Sequence, residues 1–158
     1  MKRTVEAILI SKGQMDRIYK GSVPLNLWRS LHRSVKSDNP LYPDFEPREV
    51  RPGFFRDPDI TLVTIGGVVN VLAEVDMGTS LFDRSNIFGA SSWIYFEIPA
   101  GTVIPEGLLI TKDKFNDKMQ ATHYTILPNF TMPKAQFCAL LDQLARNAAA
   151  RRAALRHG

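Results

Sequence analysis

The 158-residue sequence contains a single cysteine, Cys138, and this scarcity excludes two classes of site. One thiol forms neither an internal disulfide bond nor a thiolate metal cluster. Because apolar residues surround it in the run Phe-Cys-Ala-Leu-Leu, we expect Cys138 to be a buried structural thiol on a helix and not a nucleophile. The three histidines are scattered without partner spacing, so we expect no metal site.

Long apolar runs, nucleotide-binding glycine motifs and blocks of basic residues are also missing. The apolar run at residues 7–10 is too short for a signal peptide or a membrane span, so we expect neither a cleaved leader nor membrane insertion. Without a Gly-x-Gly-x-x-Gly or Gly-Lys-Ser/Thr motif, a doubly wound nucleotide-binding fold is excluded. The net charge of +4 favours an anionic partner, such as a dinucleotide, RNA or an acidic protein, without choosing among them.

What the chain does contain is a β-rich region followed by one long helix, in a length that suits a single domain over residues 1–158. Apolar or alternating runs predict strands at residues 25–31, 93–98, 108–111 and 122–127. Residues 60–75 predict a hairpin that turns at Gly66-Gly67. Residues 133–156 predict a helix with one apolar face, formed by Ala135, Phe137, Leu140, Leu141, Leu144 and Ala148.

Three other segments have less regular patterns. Residues 5–10 suit either a short strand or the start of a helix, as an N-terminal extension of the fold. Five prolines between residues 36 and 59 forbid a regular helix and predict a long surface loop. Residues 80–88 predict a helical turn with Asp83 or Ser85 as its cap.

Ordered motifs occupy the second half of the chain. They are Gly78-Thr79-Ser80-x-Phe82-Asp83-Arg84, Phe96-x-Ile98-Pro99-x-Gly101-Thr102-x-Ile104-Pro105, Gln120-Ala-Thr-His-Tyr-Thr-Ile126, and Leu141-Asp142 through Arg146-Asn147-Ala148. Over residues 76–152 these motifs resemble the Tse-two family of type VI secretion toxins. Two upstream pieces, Leu27-Trp28-Arg29 and Arg56-x-Pro58-Asp59-Ile60, are also similar to it. The resemblance implies an α+β fold: an ADP-ribosyltransferase-like split antiparallel β-sheet core with flanking helices and a C-terminal helix.

The resemblance also implies a function. It is that of a cytotoxic effector, an NAD-dependent ADP-ribosyltransferase that acts in the cytoplasm of a target cell on a macromolecular acceptor. Such a toxin would be secreted by a contact-dependent system without a cleaved signal peptide, and a cognate immunity protein would neutralise it. The alternative is a non-catalytic toxin on the same scaffold that binds an anionic partner such as RNA or protein, through the basic helix end with Arg151 and Arg152.

By the same resemblance, Arg29 is the candidate for placing the NAD phosphates and ribose, because a guanidinium binds the anionic pyrophosphate bidentately. Thr79 and Ser80 match a strand whose hydroxyls orient the nicotinamide ribose, although a turn or a helix cap would also use them. Gly78 would permit close backbone approach. We expect the hydroxyls of Thr79 and Ser80 to face the same cavity as Arg29 and the strand edge at residues 120–123.

Many ADP-ribosyltransferases place a glutamate on a late strand, and the matching strand here has no carboxylate. It offers Gln120, Thr122, His123 and Tyr124, of which Gln120 and His123 are the candidates at the reacting ribose. His123 is alternatively a partly buried structural histidine, and Glu97 is the nearest acidic residue on an adjacent strand. Further candidates for contacting the cofactor are Arg56 for a phosphate, and Phe82 and Tyr124 for ring stacking or, alternatively, core packing.

Overall fold

The computed structural model describes residues 3–157. The helices are α1 (Val5–Ser11) and α2 (Lys134–His157), and a short 3-10 helix spans Met15–Arg17. The strands are β1 (Ile18–Tyr19), β2 (Leu27–His32), β3 (Arg48–Arg51), β4 (Phe54–Arg56), β5 (Leu62–Ile65), β6 (Val68–Val71), β7 (Thr79–Phe82), β8 (Trp93–Ile98), β9 (Leu108–Asn116), β10 (Ala121–Pro128) and β11 (Met132–Pro133). Among these residues no helix has the length and apolar character needed to cross a membrane.

The strands form one large sheet and two small ones. The six-stranded sheet has the order β1-β9-β10-β7-β2-β8, and every recorded pairing in it is antiparallel. A three-stranded sheet has the order β11-β6-β5, and β3 pairs with β4 alone. Two helices on mostly antiparallel sheets confirm the α+β architecture expected from the resemblance.

The main core lies between one face of the six-stranded sheet and helix α2. The buried side chains of α2 are Phe137, Leu141, Leu144 and Ala148, which recur at helical spacing. Burying an aromatic or leucine side chain contributes roughly 1.5–3 kcal/mol, so this stripe holds the helix in place. The expected apolar face was therefore right at four positions, whereas Ala135 is exposed and Leu140 is only half-buried.

The strand and hairpin predictions are largely confirmed. The hairpin of β5 and β6 turns at Gly66 and Gly67, whose φ values of 56° and 80° suit a two-residue hairpin turn. The N-terminal segment is a helix, because the Thr4 hydroxyl accepts a hydrogen bond from the amide of Ala7 and caps it. Cys138 lies on α2 as expected but is half-buried, and burial raises the pKa of its thiol.

Two local predictions were wrong. The proline-rich segment contains the hairpin β3–β4, since Gly53 at a φ of 79° permits a turn there. Residues 80–88 begin as strand β7 and not as a helical turn, because β7 pairs with both β10 and β2. Asp83 does not cap a helix; its carboxylate accepts a hydrogen bond from the amide of Thr122 at 2.8 Å.

Candidate functional site

The six-stranded sheet separates the candidate residues onto two faces. Successive strand residues point to opposite sides, so on β7 the side chains of Thr79 and Leu81 face α2, which we call the core face. The side chains of Ser80 and Phe82 point to the opposite side, which we call the open face. Helix α1 covers only one end of the open face, where Val5 and Leu9 pack against the ends of β9 and β10.

On the core face, Arg29 and Thr79 hold the segment of residues 39–45, which we call the proline strap. Arg29 is 8% exposed; its Nε donates to Pro40 O at 3.1 Å and its Nη2 to Tyr42 O at 3.3 Å. Thr79 Oγ1 donates to Leu41 O at 2.6 Å. Burial lowers the pKa of the Arg29 guanidinium. Both side chains thus direct their donors to backbone carbonyls of the strap.

Helix α2 holds the same strap from its other side. Asn39 Nδ2 and Tyr42 OH both donate to Asp142 Oδ1, at 2.9 and 2.7 Å. These two hydrogen bonds lower the pKa of Asp142, and burial together with that contact raises the pKa of Tyr42. The strap is therefore fixed to the sheet and to the helix by side chains from both.

The expectation of one cavity shared by Thr79, Ser80 and Arg29 is therefore wrong. Thr79 and Arg29 lie on the core face, and Ser80 lies on the open face, with only its backbone oxygen near Arg29 Nη1 at 3.5 Å. The alternation of a strand requires this separation, because two consecutive residues cannot point to the same side.

The open face carries a row of directly paired residues that crosses four strands. His123 on β10 pairs with Phe82 on β7, Phe82 with Trp28 on β2, and Trp28 with Glu97 on β8. The rings of His123 and Phe82 meet edge to face at a centroid distance of 5.1 Å. The row therefore presents two aromatic rings between an imidazole and a carboxylate.

Hydroxyl groups lie beside this row on the same face. Ser80 pairs with Thr125 of β10, and Ser30 of β2 pairs with Tyr95 of β8. Within the described residues the buried hydroxyl of Ser30 has no hydrogen-bond partner. A buried hydroxyl without a partner is costly, so Ser30 marks a polar position that the sequence did not indicate.

The segment that follows β7 packs over part of this face. Phe88 contacts the rings of Phe82 and Trp93 at centroid distances of 6.5 and 4.6 Å. Tyr95 OH accepts from the amide of Phe88 at 2.9 Å and donates to Gly89 O at 2.7 Å. These contacts hold Phe88 and Gly89 against the open face, next to Phe82.

The strongest polar cluster of the open face surrounds Asp113 on β9. Asp113 Oδ1 accepts from Arg17 Nη2 at 2.9 Å and from Thr111 Oγ1 at 3.1 Å. Asp113 Oδ2 lies 2.6 Å from Thr125 Oγ1 and 2.8 Å from His123 Nδ1. Although partial burial opposes ionisation, the hydrogen bonds from His123, Thr125 and Arg17 hold the pKa of Asp113 below its ordinary value.

Asp113 was missed because the strand predicted at residues 108–111 ended two residues before it, whereas β9 extends to Asn116. The pairing of β9 with β10 shifts register between Thr122 and Tyr124, so that Asp113 and Lys114 both lie opposite His123. Nothing in the local pattern of β9 indicates this extra residue. A predicted pairing of the two strands would have placed Asp113 near His123, and that proximity was the available signal.

A cavity of about 780 Å³ opens beside this cluster. His123, Phe82, Arg17, Asp76 and Asp113 line it, together with residues 114–118 at the end of β9. Its volume lies within the range of roughly 300–1,000 Å³ that small-molecule sites occupy. The cavity thus gives a small molecule access to the imidazole.

Three other candidates lie away from this cluster. Gln120, at a φ of 52°, forms part of the turn between β9 and β10, and its side chain donates to Asp117 O. The ring of Tyr124 is 2% exposed within the core, and burial raises its pKa to about 12. Arg56 is on the exposed β4 and forms an ion pair with Asp59 at 3.2 Å.

Gly78 permits a close backbone approach, but to a neighbouring strand. A Cβ at this position would lie 2.0 Å from Ile126 O. Because that oxygen belongs to strand β10, the glycine lets β7 begin next to it. Among residues 3–157 no group of three or more His, Cys, Asp or Glu side chains could hold a metal ion.

Comparison with known proteins agrees with this architecture. The family model described as Tse2 ADP-ribosyltransferase toxin matches residues 8–153. The chain belongs to the Tse2 ADP-ribosyltransferase toxin family. Toxin Tse2 of Pseudomonas aeruginosa strain PAO1 is 36% identical over 108 residues, which cover 68% of this chain and 65% of that toxin. The chain thus spans just under two thirds of this relative's length, and the resemblance drawn from residues 76–152 is confirmed over a longer region.

Proposed function

We propose that this protein is a cytotoxic ADP-ribosyltransferase that uses NAD as its ADP-ribose donor. The observation that carries the proposal is the match to the Tse2 ADP-ribosyltransferase toxin family over residues 8–153. That match includes both faces of the six-stranded sheet, from β2 to β10. Transferases of this kind break the bond between nicotinamide and ribose, so the site needs ring contacts and polar groups near the ribose.

The open face supplies groups of these types. The Phe82 and Trp28 rings are suited to contact nicotinamide or adenine, and the Ser80 hydroxyl is suited to a ribose hydroxyl. His123 lines the cavity and is suited to proton transfer. Glu97 lies three strand spacings from His123, about 14 Å away, so the two groups do not act on the same atom.

The residues of the core face have a different part in this proposal. Arg29 and Thr79 keep the proline strap in place, and Gly78 keeps β7 close to β10. Their role in NAD binding stays a prediction, as do those of Gln120 and Arg56.

Action inside a target cell, contact-dependent delivery and neutralisation by an immunity protein are parts of the same proposal. Membership of a toxin family supports them, since a producing cell must survive its own toxin. A net charge of +4 favours an acidic inhibitor, because opposite charges accelerate association. Co-expression of a neighbouring acidic protein that restores growth, and its co-purification with the toxin, would support this part.

The contacts of the basic helix end do not favour the non-catalytic alternative. Arg151 Nε donates to Ala100 O at 3.0 Å, and the Arg152 guanidinium donates to Glu97 O. Arg152 also lies over the Phe96 ring, 4.6 Å from its centroid. Both arginines thus attach α2 to the region around β8.

An activity assay and a comparison of two variants test this proposal. Purified protein incubated with NAD should release nicotinamide and label a component of a bacterial lysate with ADP-ribose. Ser80→Ala should abolish toxicity in a sensitive host, whereas Arg151→Glu with Arg152→Glu should keep it once folding has been confirmed. The absence of both nicotinamide release and labelling would overturn the proposal, and the opposite order of the variants would favour a binding toxin.

A further inference from the structure

The carboxylate of Asp113 is in direct contact with the imidazole of His123, at 2.8 Å between Oδ2 and Nδ1. Its other recorded partners are all donors, namely Arg17 Nη2, Thr111 Oγ1 and Thr125 Oγ1. A carboxylate with these partners is ionised and only accepts hydrogen bonds. Nδ1 of His123 must therefore carry the proton, which leaves the lone pair of the neutral ring on Nε2.

We infer that Asp113 is a positioning residue, which fixes the imidazole of His123 with Nδ1–H toward its own carboxylate and Nε2 free for substrate. The inference deepens the proposed ADP-ribose transfer and rests on it. Nε2 has no recorded hydrogen bond among the described residues, and His123 lines the cavity of about 780 Å³. The ring is also held from one side by the edge-to-face contact with Phe82.

The carboxylate is itself fixed, which positioning requires. The side chain of Asp113 is 11% exposed, and Arg17 and two threonine hydroxyls hold both of its oxygens. A group that holds another in a productive orientation needs partners of its own. The register that pairs Tyr124 with Lys112 and Thr125 with Thr111 places this fixed carboxylate opposite His123.

In the reaction, the bond between the nicotinamide nitrogen and the anomeric carbon breaks, and its electron pair leaves with neutral nicotinamide. An acceptor hydroxyl or water forms a new bond from its oxygen to that carbon, and its proton passes to Nε2 of His123. The resulting imidazolium is stabilised by the negative charge of Asp113 at Nδ1–H. The products are nicotinamide, the ADP-ribosylated acceptor and a proton.

Asp76 provides a matched control for Asp113. Arg17 Nη2 lies 2.9 Å from a carboxylate oxygen of each residue, so both carboxylates share one guanidinium nitrogen. The side chain of Asp76 is 64% exposed and also lines the cavity, but none of its recorded contacts involves His123. Asp113→Asn and Asp76→Asn thus remove the same charge from either side of Arg17, and only the first changes the partner of the imidazole.

Two measurements on the purified chain test the inference. Nicotinamide release as a function of NAD concentration gives kcat and KM. A long-range proton–nitrogen correlation spectrum shows which ring nitrogen of His123 carries the proton. We expect the wild-type spectrum to show the proton on Nδ1, and the Asp113→Asn spectrum to show no such preference. In Asp113→Asn, kcat should fall by about 10²-fold, whereas KM for NAD should change little.

The controls separate positioning from loss of structure. Asp76→Asn should leave the tautomer of His123 unchanged and lower kcat far less than Asp113→Asn does. Should Asp113→Asn fail to fold, Thr125→Val removes the 2.6 Å hydrogen bond to the carboxylate without touching the ring, and should weaken the Nδ1 preference.

A wild-type spectrum with the proton on Nε2, or an Asp113→Asn enzyme with unchanged kcat, would overturn the inference. If the wild type releases no nicotinamide, the proposed function fails, and the spectrum still decides whether Asp113 fixes the imidazole.

Discussion

Replacing the neighbouring residues Thr79 and Ser80 one at a time tests the assignment of the two sheet faces. Thr79 is fully buried on the core face, and its hydroxyl donates to Leu41 O at 2.6 Å. Thr79→Val keeps the shape of the side chain and removes the donor, which leaves the carbonyl of Leu41 without this partner. Ser80→Ala removes a hydroxyl from the open face, where no hydrogen bond of Ser80 Oγ is recorded among residues 3–157.

The expected stability changes differ in size. An acceptor left without its partner in the core costs about 1–3 kcal/mol, so Thr79→Val should lower the free energy of unfolding by about 2 kcal/mol. With a urea m-value of about 2 kcal/mol per molar, the midpoint of unfolding should fall by about 1 M. Ser80→Ala breaks no recorded contact and should stay within about 0.5 kcal/mol of the wild type.

Urea unfolding followed by tryptophan fluorescence measures the stability, and nicotinamide release measures the activity of the folded protein below the transition. We expect Ser80→Ala to lose the larger part of the activity and Thr79→Val the larger part of the stability. The assignment of faces is refuted if Ser80→Ala shifts the urea midpoint more than Thr79→Val does.

Three further changes address other contacts. Gly78→Ala should lower the yield of folded protein and cost more than about 3 kcal/mol, as judged by thermal unfolding, because its Cβ would lie 2.0 Å from Ile126 O. The folded-state pKa of Asp142 is lowered, so its stabilisation is present above the ordinary value of 3.8 and lost as the pH falls through the lower folded value. Asp142→Asn should flatten the acid limb of the stability curve measured by circular dichroism, and an unchanged limb would count against the contact with Tyr42. Tyr95→Phe should speed amide hydrogen exchange in the segment after β7, and an unchanged rate would contradict the hydrogen bonds assigned to that hydroxyl.

The elements that the sequence predicted well are those whose pattern is local. The Gly66-Gly67 turn requires positive φ, and the two glycines supply it whatever surrounds them. The stripe from Phe137 to Ala148 repeats at helical spacing and needed only an apolar surface to cover. Such signals depend on a few neighbouring residues, which are all visible in the sequence.

The wrong predictions concern segments whose structure is determined by residues that are distant in the sequence. Ser80 and Asp83 are typical of a capped helical turn, but pairing with β10 and β2 makes Thr79–Phe82 a strand. Because Thr79 and Ser80 are consecutive residues of this strand, their side chains point to opposite faces of the sheet. A motif therefore identified the family without showing which side of the sheet each residue faces.

Of the contacting pair His123 and Asp113 in the polar cluster of the open face, the sequence analysis identified only His123. His123 was a candidate from its residue type, whereas its partner Asp113 is identified only by the register in which β9 pairs with β10. Glu97, considered as a nearby carboxylate, is on the same face but at the far end of the row. Distance across a sheet follows from strand order, and strand order is not a property of any local segment.

The attachment of the proline strap bears on how sequences of this family can diverge. Arg29 and Thr79 donate hydrogen bonds to backbone oxygens of residues 40–42, and every amino acid has such an oxygen. Substitutions at the outward positions of the strap therefore keep these hydrogen bonds, whereas substitutions of Arg29 or Thr79 remove them. An alignment of relatives should show varied residues at the outward strap positions and nearly invariant residues at Arg29 and Thr79, a pattern easily mistaken for the signature of a catalytic pair.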